Sequence, residues 1–202
     1  MLLIHDADAW SHGPVEGPKR YREAMDGAYR ALEKLRSEKV ITGIGIGVND
    51  PVYAAKFLRE GDFDCMLLAG RYSILEQPAL QEVLPLAAEK CVGVMLGGVF
   101  NSGILATGPV AGARYNYAPA PPEILERVRR IERVCASHGV PLPTAAMHFS
   151  LGGPAVASLV LGAVAPEEVK RNVAALSAKV PSALWSDLKA EGLLAAEAPV
   201  PA

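Results

Sequence analysis

The sequence has few cysteines, no strong excess of either charge and no long hydrophobic run free of breaks. Its three cysteines, Cys65, Cys91 and Cys135, lack CxxC spacing, so we interpret them as small buried hydrophobic residues in a reducing compartment and predict no metal site. A net charge of −2 without a basic run argues against binding to nucleic-acid phosphates. The first residues lack the charged and apolar regions of a signal peptide. Gly, Pro, Ser and His interrupt the uncharged run Val134–Pro166 too often for a membrane helix. These absences favour a soluble, cytoplasmic protein.

The remaining composition is globular, and apolar strands alternate with helices. Of the 202 residues, 50% are hydrophobic and 21% are charged. Apolar runs predict strands at Leu2–Ile4, Val40–Val48, Phe63–Ala69, Cys91–Leu96 and Ala157–Leu161. Helical spacing predicts helices at Tyr21–Val40, Asn49 to about Arg59, Leu75–Glu89, Glu123–Ser137, Pro143–Leu151, Pro166–Leu176 and Ser182–Leu194. This order predicts a parallel α/β sheet. Because no GxGxxG follows the first strand, it favours part of a (β/α)₈ TIM barrel over a Rossmann fold.

The stretch Ala157–Leu176 has the features of an anion-binding strand–helix turn. Gly162 ends the predicted strand, and Pro166 suits the first position of the helix that follows. Ala165 has no side-chain oxygen to cap the first-turn amides, which leaves N–H groups for an anion. The alternative is an ordinary turn whose amides are bonded to water or to Glu168. The apolar positions of this helix are expected to pack on the core, and they are Val169, Val173 and Leu176.

Six motifs carry a resemblance to a known family. They are LLIHDAD (Leu2–Asp8), GIGIGVND (Gly43–Asp50), DCMLLAGRYSILEQ (Asp64–Gln77), GGVFNSGILATG (Gly97–Gly108), YNYAPAPPEI (Tyr115–Ile124) and VLGAVAPEEVKRN (Val160–Asn172). Together they resemble the aldo-keto reductase superfamily, and most closely its D-threo-aldose 1-dehydrogenase (L-fucose or D-arabinose dehydrogenase) branch. The resemblance implies a single domain over residues 1–202, equivalent to the fourth to eighth βα units of the family barrel. Within it we expect a lid and cofactor loop at 97–121 and a frayed tail at 195–202.

The resemblance also implies reversible hydride transfer between the anomeric carbon of an aldose and a nicotinamide cofactor. His5 matches the strand-end histidine that orients the substrate oxygen, where a neutral imidazole donates to a carbonyl; a core histidine is the alternative. Asn49, or Asp50, matches the group that binds the nicotinamide carboxamide. The alternative there is a helix N-cap before Pro51, for which Asp50 is the better candidate. Tyr72 falls near the ring that stacks on the nicotinamide, and it could equally be a half-buried core ring.

Two further segments match the rest of the cofactor site. The loop that lies over the pyrophosphate is matched by Gly97, Gly98, Phe100, Asn101, Ser102 and Gly103, and the lid would be lined by Tyr115 and Tyr117. The segment for the adenosine phosphate and ribose is matched by Gly162, Ala163, Val164 and Glu168, with Asn172 near the adenine. A carboxylate at Glu168 would repel a 2′-phosphate and could accept a hydrogen bond from a ribose hydroxyl. The resemblance therefore predicts NAD in preference to NADP.

The catalytic aspartate, tyrosine and lysine of the family have no counterpart in these motifs. They precede the strand that LLIHD matches, so no residue here takes the place of the tyrosine that transfers the proton. We expect the 202-residue chain by itself to be inactive. The alternative is a non-catalytic nucleotide-binding or interaction module, a half-barrel that closes its sheet edges as a homodimer. We expect the chain to bind a small aldose and to bind neither nucleic acid nor a membrane. The sequence does not specify which aldose.

Overall fold

The structure is a computed structural model that describes residues 1–201. Its strands are β1 (Leu2–His5), β2 (Ile44–Val48), β3 (Cys65–Ala69), β4 (Gly93–Gly97), β5 (Arg114–Tyr115), β6 (Ala118–Pro119) and β7 (Val156–Val160). Its α-helices are α1 (Ala9–Glu23), α2 (Arg30–Ser37), α3 (Pro51–Glu60), α4 (Val83–Glu89), α5 (Ile104–Thr107), α6 (Pro122–Ser137), α7 (Leu142–Leu151), α8 (Pro166–Leu176) and α9 (Ser182–Ala190). A π-helical segment, Ala24–Tyr29, joins α1 to α2, and a 3₁₀ turn covers Pro78–Leu80. Across residues 1–201, every helix is too short or too polar to span a membrane.

Five strands form one sheet in the order β1-β2-β3-β4-β7, and β5 and β6 form a separate hairpin. The β1–β2 and β2–β3 pairs are parallel, and each crossover between neighbouring strands contains a helix. The predicted α/β class, equivalent to part of a (β/α)₈ barrel, is confirmed. Strand β2 begins at Ile44 and not at Val40 as predicted, because the Val40 N–H is still bonded to the Leu35 carbonyl at the end of α2.

The described residues divide into two compact units, each with its own core. The first unit contains residues 1–71, 78–96 and 154–158, and the second contains 72–77, 97–153 and 159–201. In the first, the rings of Tyr21 and Phe57 pack with centroids 4.6 Å apart, and strand residues such as Ile46 are fully buried. In the second, Tyr72, Phe149 and Trp185 are buried. The single domain over 1–202 stays a prediction.

Gly45 marks a close approach between neighbouring strands of the first unit. A Cβ at this position would lie 2.5 Å from Sγ of Cys65 and 2.8 Å from the Cys65 carbonyl oxygen. At Gly47, which shares the same face, the nearest atom to an added Cβ would be Cδ2 of His5 at 3.6 Å. Packing therefore requires glycine at position 45, whereas at position 47 an added Cβ would meet only ordinary contacts.

Helix α1 begins at Ala9, well before the predicted start at Tyr21. The buried Asp8 carboxylate caps it by accepting a hydrogen bond from a first-turn amide. Gly13 adopts φ +75° and kinks the helix, so that Pro14 begins a second helical stretch instead of breaking the first. Glycine–proline pairs are typical of turns, and for this reason the sequence pattern did not predict the first turns of α1.

Two other predicted segments differ in detail from the structure. The helix predicted over Leu75–Glu89 is reduced to the 3₁₀ turn and α4, because the Ser73 hydroxyl accepts the Leu75 and Glu76 amides and holds this segment as a turn. The loop predicted at 97–121 contains α5 and the β5–β6 hairpin. Asn116 and Tyr117 both have positive φ, as a two-residue type I′ hairpin turn requires.

Helix α8 exposes the residues that were expected to face the core. Val169, Val173 and Leu176, which we call the exposed apolar stripe, are 52%, 61% and 38% exposed, so that prediction was wrong. The helix contacts α7 through another side, where the Ala175 carbonyl accepts a hydrogen bond from Nε2 of His148 at 3.0 Å. Helical spacing identifies residues that share a face, but the neighbouring elements decide which face is covered.

The chain after α9 is packed, although the sequence predicted a frayed tail at 195–202. Ala198 is 1% exposed, and the Ala195 N–H donates to Oε1 of Gln77 at 3.3 Å. The Ala196 carbonyl accepts a hydrogen bond from Lys189. Small apolar side chains allow this close packing. Ala202 lies outside the described residues.

Candidate functional site

His5 ends β1 with its side chain exposed to solvent. The imidazole is 81% exposed, and its Nε2 lies 3.7 Å from Oδ2 of Asp6. Asp6 has φ +52° and donates its N–H to the Gly47 carbonyl, which extends the β1–β2 pairing by one residue beyond the strand. The structure therefore leaves the His5 ring accessible at the carboxyl end of β1. This exposure differs from the core-histidine alternative.

Two aspartates hold the backbone around Asn49. The buried Asp8 carboxylate accepts the N–H groups of Asn49 at 3.0 Å and Asp50 at 3.2 Å. Asp50 in turn accepts the Val52 amide at 2.9 Å and caps α3, so the N-cap interpretation of Asp50 is the one that the structure shows. The Asn49 side chain points toward Asp6, with Nδ2 and Oδ1 3.5 Å apart. Of the two residues proposed for the nicotinamide carboxamide, Asn49 is the one whose side chain does not cap a helix.

Arg71 and Trp10, which the sequence motifs do not predict as site residues, lie in the first unit, Arg71 next to Asn49 and Trp10 next to Arg71. Arg71 is 7% exposed and donates from Nε to the Asn49 carbonyl at 2.7 Å. Its guanidinium carbon lies 4.2 Å from the centre of the Trp10 ring, a cation–π contact. Trp10 is 46% exposed. An aromatic residue closely following a strand-end histidine is the sequence signal that could have identified it.

Tyr72 is a core ring in the second unit. It is 1% exposed and stacks on Phe149 with centroids 5.1 Å apart and planes at 28°. Its hydroxyl has no hydrogen-bond partner among residues 1–201, and burial raises the pKa of Tyr72 to about 12. Tyr72 is thus a core ring, buried more deeply than the half-buried ring of the alternative, and the nicotinamide role stays a prediction.

Several residues of the glycine-rich loop after β4 have backbone φ angles in the left-handed region. Positive φ values occur at Gly98 (61°), Asn101 (46°), Ser102 (60°) and Gly103 (96°). Asn101 is 4% exposed and its side-chain amide is bonded within the protein, to Ser73 and Glu76. Because the Asn101 side chain is bonded in this way, the backbone amides of this loop are the groups that could approach a phosphate closely.

The second unit also contains a cavity of about 530 Å³. Its lining includes four of the predicted cofactor residues, namely Phe100, Gly162, Glu168 and Asn172. Thr107 and Met147 contribute a hydroxyl and an apolar side chain from α5 and α7. The structure thus brings together residues that are distant in sequence. The other predicted cofactor residues lie outside this cavity. Ala163 and Val164 line a more open groove along the start of α8, and Ser102 and Gly103 line a separate surface depression. Gly97 is the last residue of β4.

Glu168 contacts both the turn before α8 and a cation on α8. Its Oε2 accepts the Val164 N–H at 2.9 Å, so this carboxylate bonds the turn amide as the ordinary-turn alternative proposed. Its Oε1 lies 3.9 Å from Nη2 of Arg171, which also lines the cavity. Arg171 was not predicted. Its position three residues after Glu168 on a helix was the available signal.

Comparison with known proteins places these features in a family. The Aldo/keto reductase family model matches residues 1–191. The chain is 43% identical over 168 residues to a D-threo-aldose 1-dehydrogenase of Pseudomonas sp, covering 82% of this chain and 50% of that protein. It is 39% identical over 194 residues to a pyridoxal 4-dehydrogenase of Microbacterium luteolum, covering 96% of this chain and 57% of the relative. The chain thus spans about half the length of these curated relatives.

Solved structures give the same result for the fold. An aldo-keto reductase of Bacillus halodurans in its apo form superposes with a TM-score of 0.67 at 25% identity, covering 85% of this chain and 58% of that one. Its holo form superposes with a TM-score of 0.65. The parallel sheet, the family match and these superpositions agree. The chain belongs to the aldo/keto reductase family.

Proposed function

We propose that this chain is the cofactor-binding and substrate-orienting part of an NAD-dependent oxidoreductase that oxidises an aldose at its anomeric carbon. The observation that carries the proposal is the cavity of the second unit, which gathers Phe100, Gly162, Glu168 and Asn172. The identity of 43% to an aldose dehydrogenase supports the substrate class.

The cavity has the chemistry that an adenosine group needs. Phe100 and Met147 offer apolar surface for a flat base, while Asn172 and Thr107 offer donors and acceptors for its edge and for the ribose. Glu168 would accept from a ribose hydroxyl and would disfavour the additional negative charge of a 2′-phosphate. When bound, the nicotinamide would supply the hydride acceptor.

His5 is proposed to orient the sugar. In the oxidation, the aldose loses a hydride from C1 and a proton from the C1 hydroxyl, and it becomes a lactone. The exposed imidazole at the end of β1 would hydrogen-bond to the oxygen on C1 and fix its direction. We infer that the 202-residue chain alone does not complete the reaction, since no residue in it matches the tyrosine that transfers the proton in the family.

The test is NADH formation by the purified chain with NAD and L-fucose or D-arabinose, together with thermal unfolding with and without NAD. We expect no turnover and a cooperative transition that NAD raises, because a ligand at about 100 times its Kd stabilises the folded state by about 2.7 kcal/mol. Turnover above background would show that another residue or chain supplies the proton-transfer group. A transition unchanged by saturating NAD would contradict the proposed cofactor site.

The second candidate is a non-catalytic module that associates with another chain. The exposed apolar stripe and the 46% exposure of Val160 favour it, since apolar surface of this kind is typical of interfaces. A homodimer, detected by sedimentation at micromolar concentration, with no nucleotide binding would support this candidate. The cytoplasmic location stays a prediction.

A further inference from the structure

One carboxylate holds two distant points of the loop at 97–121. Oε1 of Glu76 accepts a hydrogen bond from Nδ2 of Asn101 at 2.7 Å, and Oε2 accepts one from the Tyr115 hydroxyl at 2.8 Å. All three residues belong to the second unit. Hydrogen bonds to an ionised acceptor are stronger than neutral ones, particularly away from bulk water.

Both polar atoms of the Asn101 side-chain amide are hydrogen-bonded. Oδ1 of Asn101 accepts the Ser73 hydroxyl proton at 2.6 Å, and the same Ser73 oxygen accepts the Glu76 N–H at 3.3 Å. Asn101 is 4% exposed and Ser73 is fully buried. A buried amide bonded through both its oxygen and its nitrogen has one stable orientation. The first turn of the loop is therefore fixed to residues 73–76.

The Tyr115 end fixes the hairpin. Tyr115 pairs with Ala118 across the β5–β6 hairpin, and the Tyr117 N–H donates to the Ser102 hydroxyl at 3.0 Å. The hairpin is thus bonded to Glu76 on one side and to the first turn of the loop on the other. Phe100, the neighbour of Asn101, lines the cavity proposed for the adenosine group. A displacement of Asn101 would move Phe100 and the adjacent backbone amides with it.

We propose that Glu76 is a positioning residue for the cofactor loop, and this proposal rests on the proposed function. Its two oxygens hold the loop at 97–121 in the position that receives the nucleotide, and Glu76 acts on the nucleotide through Asn101 and Tyr115. The proposal differs from a general role in folding, because it predicts a loss of nucleotide affinity larger than any loss of stability.

The test compares Glu76→Gln, Tyr115→Phe and the control Glu126→Gln. The control removes the same charge from an exposed position on α6, where Glu126 pairs with Arg129 at 3.2 Å. Hydrogen exchange measures the protection of amides 97–121, calorimetry measures NAD affinity, and thermal unfolding measures stability. For Glu76→Gln we expect exchange and the Kd for NAD each to rise by about tenfold, the effect of losing a charge-assisted bond. Tyr115→Phe should loosen only the hairpin, and the control should match the wild type.

The outcomes separate this proposal from the proposed function. The positioning role is overturned if amides 97–121 of Glu76→Gln are as protected from hydrogen exchange as those of the wild type. It is also overturned if these amides exchange faster while the Kd for NAD is unchanged. If Glu76→Gln fails to fold, Tyr115→Phe decides, and unchanged exchange in its hairpin overturns the proposal. If the wild-type chain does not bind NAD, the proposed function fails on its own, while the exchange comparison still supports or overturns the holding of the loop by Glu76.

Discussion

The proposed preference for NAD over NADP should depend on the charge of Glu168. Its side chain is 35% exposed, and it contacts the Val164 amide at 2.9 Å and Arg171 at 3.9 Å. Glu168→Gln removes the charge but keeps an oxygen that can accept the Val164 N–H. It also leaves Arg171 without its carboxylate partner, so that the guanidinium is free to meet a phosphate.

The expected magnitude follows from Coulomb's law. Two unit charges about 4 Å apart repel by about 1 kcal/mol in water and by about 4 kcal/mol at an effective dielectric constant of about 20. Because Glu168 is partly exposed, we take a value near the lower limit, about 1.5 kcal/mol, which is roughly tenfold in affinity. Glu168→Gln should therefore improve the Kd for NADP relative to NAD by about tenfold. Glu168→Arg should add about another tenfold by supplying a charge-assisted hydrogen bond.

The assay is a calorimetric titration of each variant with NAD and with NADP, at ionic strengths of about 0.01 M and about 1 M. Glu167→Gln is the matched control, since Glu167 is the adjacent exposed residue in the first turn of α8 and does not line the cavity. The difference between variants should shrink at high salt because the Debye length falls from about 30 Å to about 3 Å. An NADP/NAD affinity ratio that stays constant across Glu168→Gln and Glu168→Arg would refute the reasoning, as would a wild-type preference for NADP.

Three further predictions concern the two units. Gly45→Ala should lower the free energy of unfolding, measured by denaturant titration, by about 3 kcal/mol because the new Cβ would meet Cys65. Gly47→Ala should change the free energy of unfolding by less than about 1 kcal/mol. Equal effects of the two substitutions would contradict the packing argument. Tyr72→Phe should raise the free energy of unfolding by about 1 kcal/mol, since it removes a buried hydroxyl that has no partner within the described part of the chain. The pKa of Tyr72 is raised by burial from 10.0 to about 12, so the wild type should lose stability between those pH values more steeply than Tyr72→Phe. The exposed Trp10 ring follows His5 closely in sequence and stacks on Arg71, so we predict that it lines the proposed sugar site. Trp10→Ala should then weaken binding of L-fucose or D-arabinose to this chain about tenfold in a calorimetric titration, and Trp10→Phe should restore most of it; an unchanged Kd would exclude Trp10 from that site.

The parts of the fold that local chemistry determines were predictable from the sequence. An aspartate directly before Pro51 indicates a helix start, and Asp50 does cap α3. Apolar runs ended by glycine or polar residues identified the five strands of the sheet, although some of their ends moved. The resemblance assigns Gly162 and Phe100 to two segments of one cofactor site, and both line the same cavity, whereas Ala163 and Val164 line a different groove.

The remaining errors come from tertiary context. The start of α1 depends on a kink at Gly13 that local propensity does not predict. The exposed apolar stripe has the spacing of a buried face, and only the position of α7 shows that another side of α8 is covered. The bonds of Glu76 to Asn101 and Tyr115 join segments far apart in the chain, so spacing alone contains no sign of them.

The shallow packing of α8 would link its local stability to the proposed nucleotide binding. None of its residues is buried, yet it carries Glu168, Arg171 and Asn172 of the cavity. A segment with little buried apolar area opens at low free energy, without unfolding of the rest of the chain. A nucleotide that contacts α8 would bind only molecules in which this helix is ordered. The apparent affinity for the nucleotide would therefore be lower when fewer molecules have an ordered helix, and nucleotide binding would raise the ordered fraction. Substitutions that strengthen α8 away from the cavity would therefore tighten nucleotide binding without adding a single contact to the nucleotide.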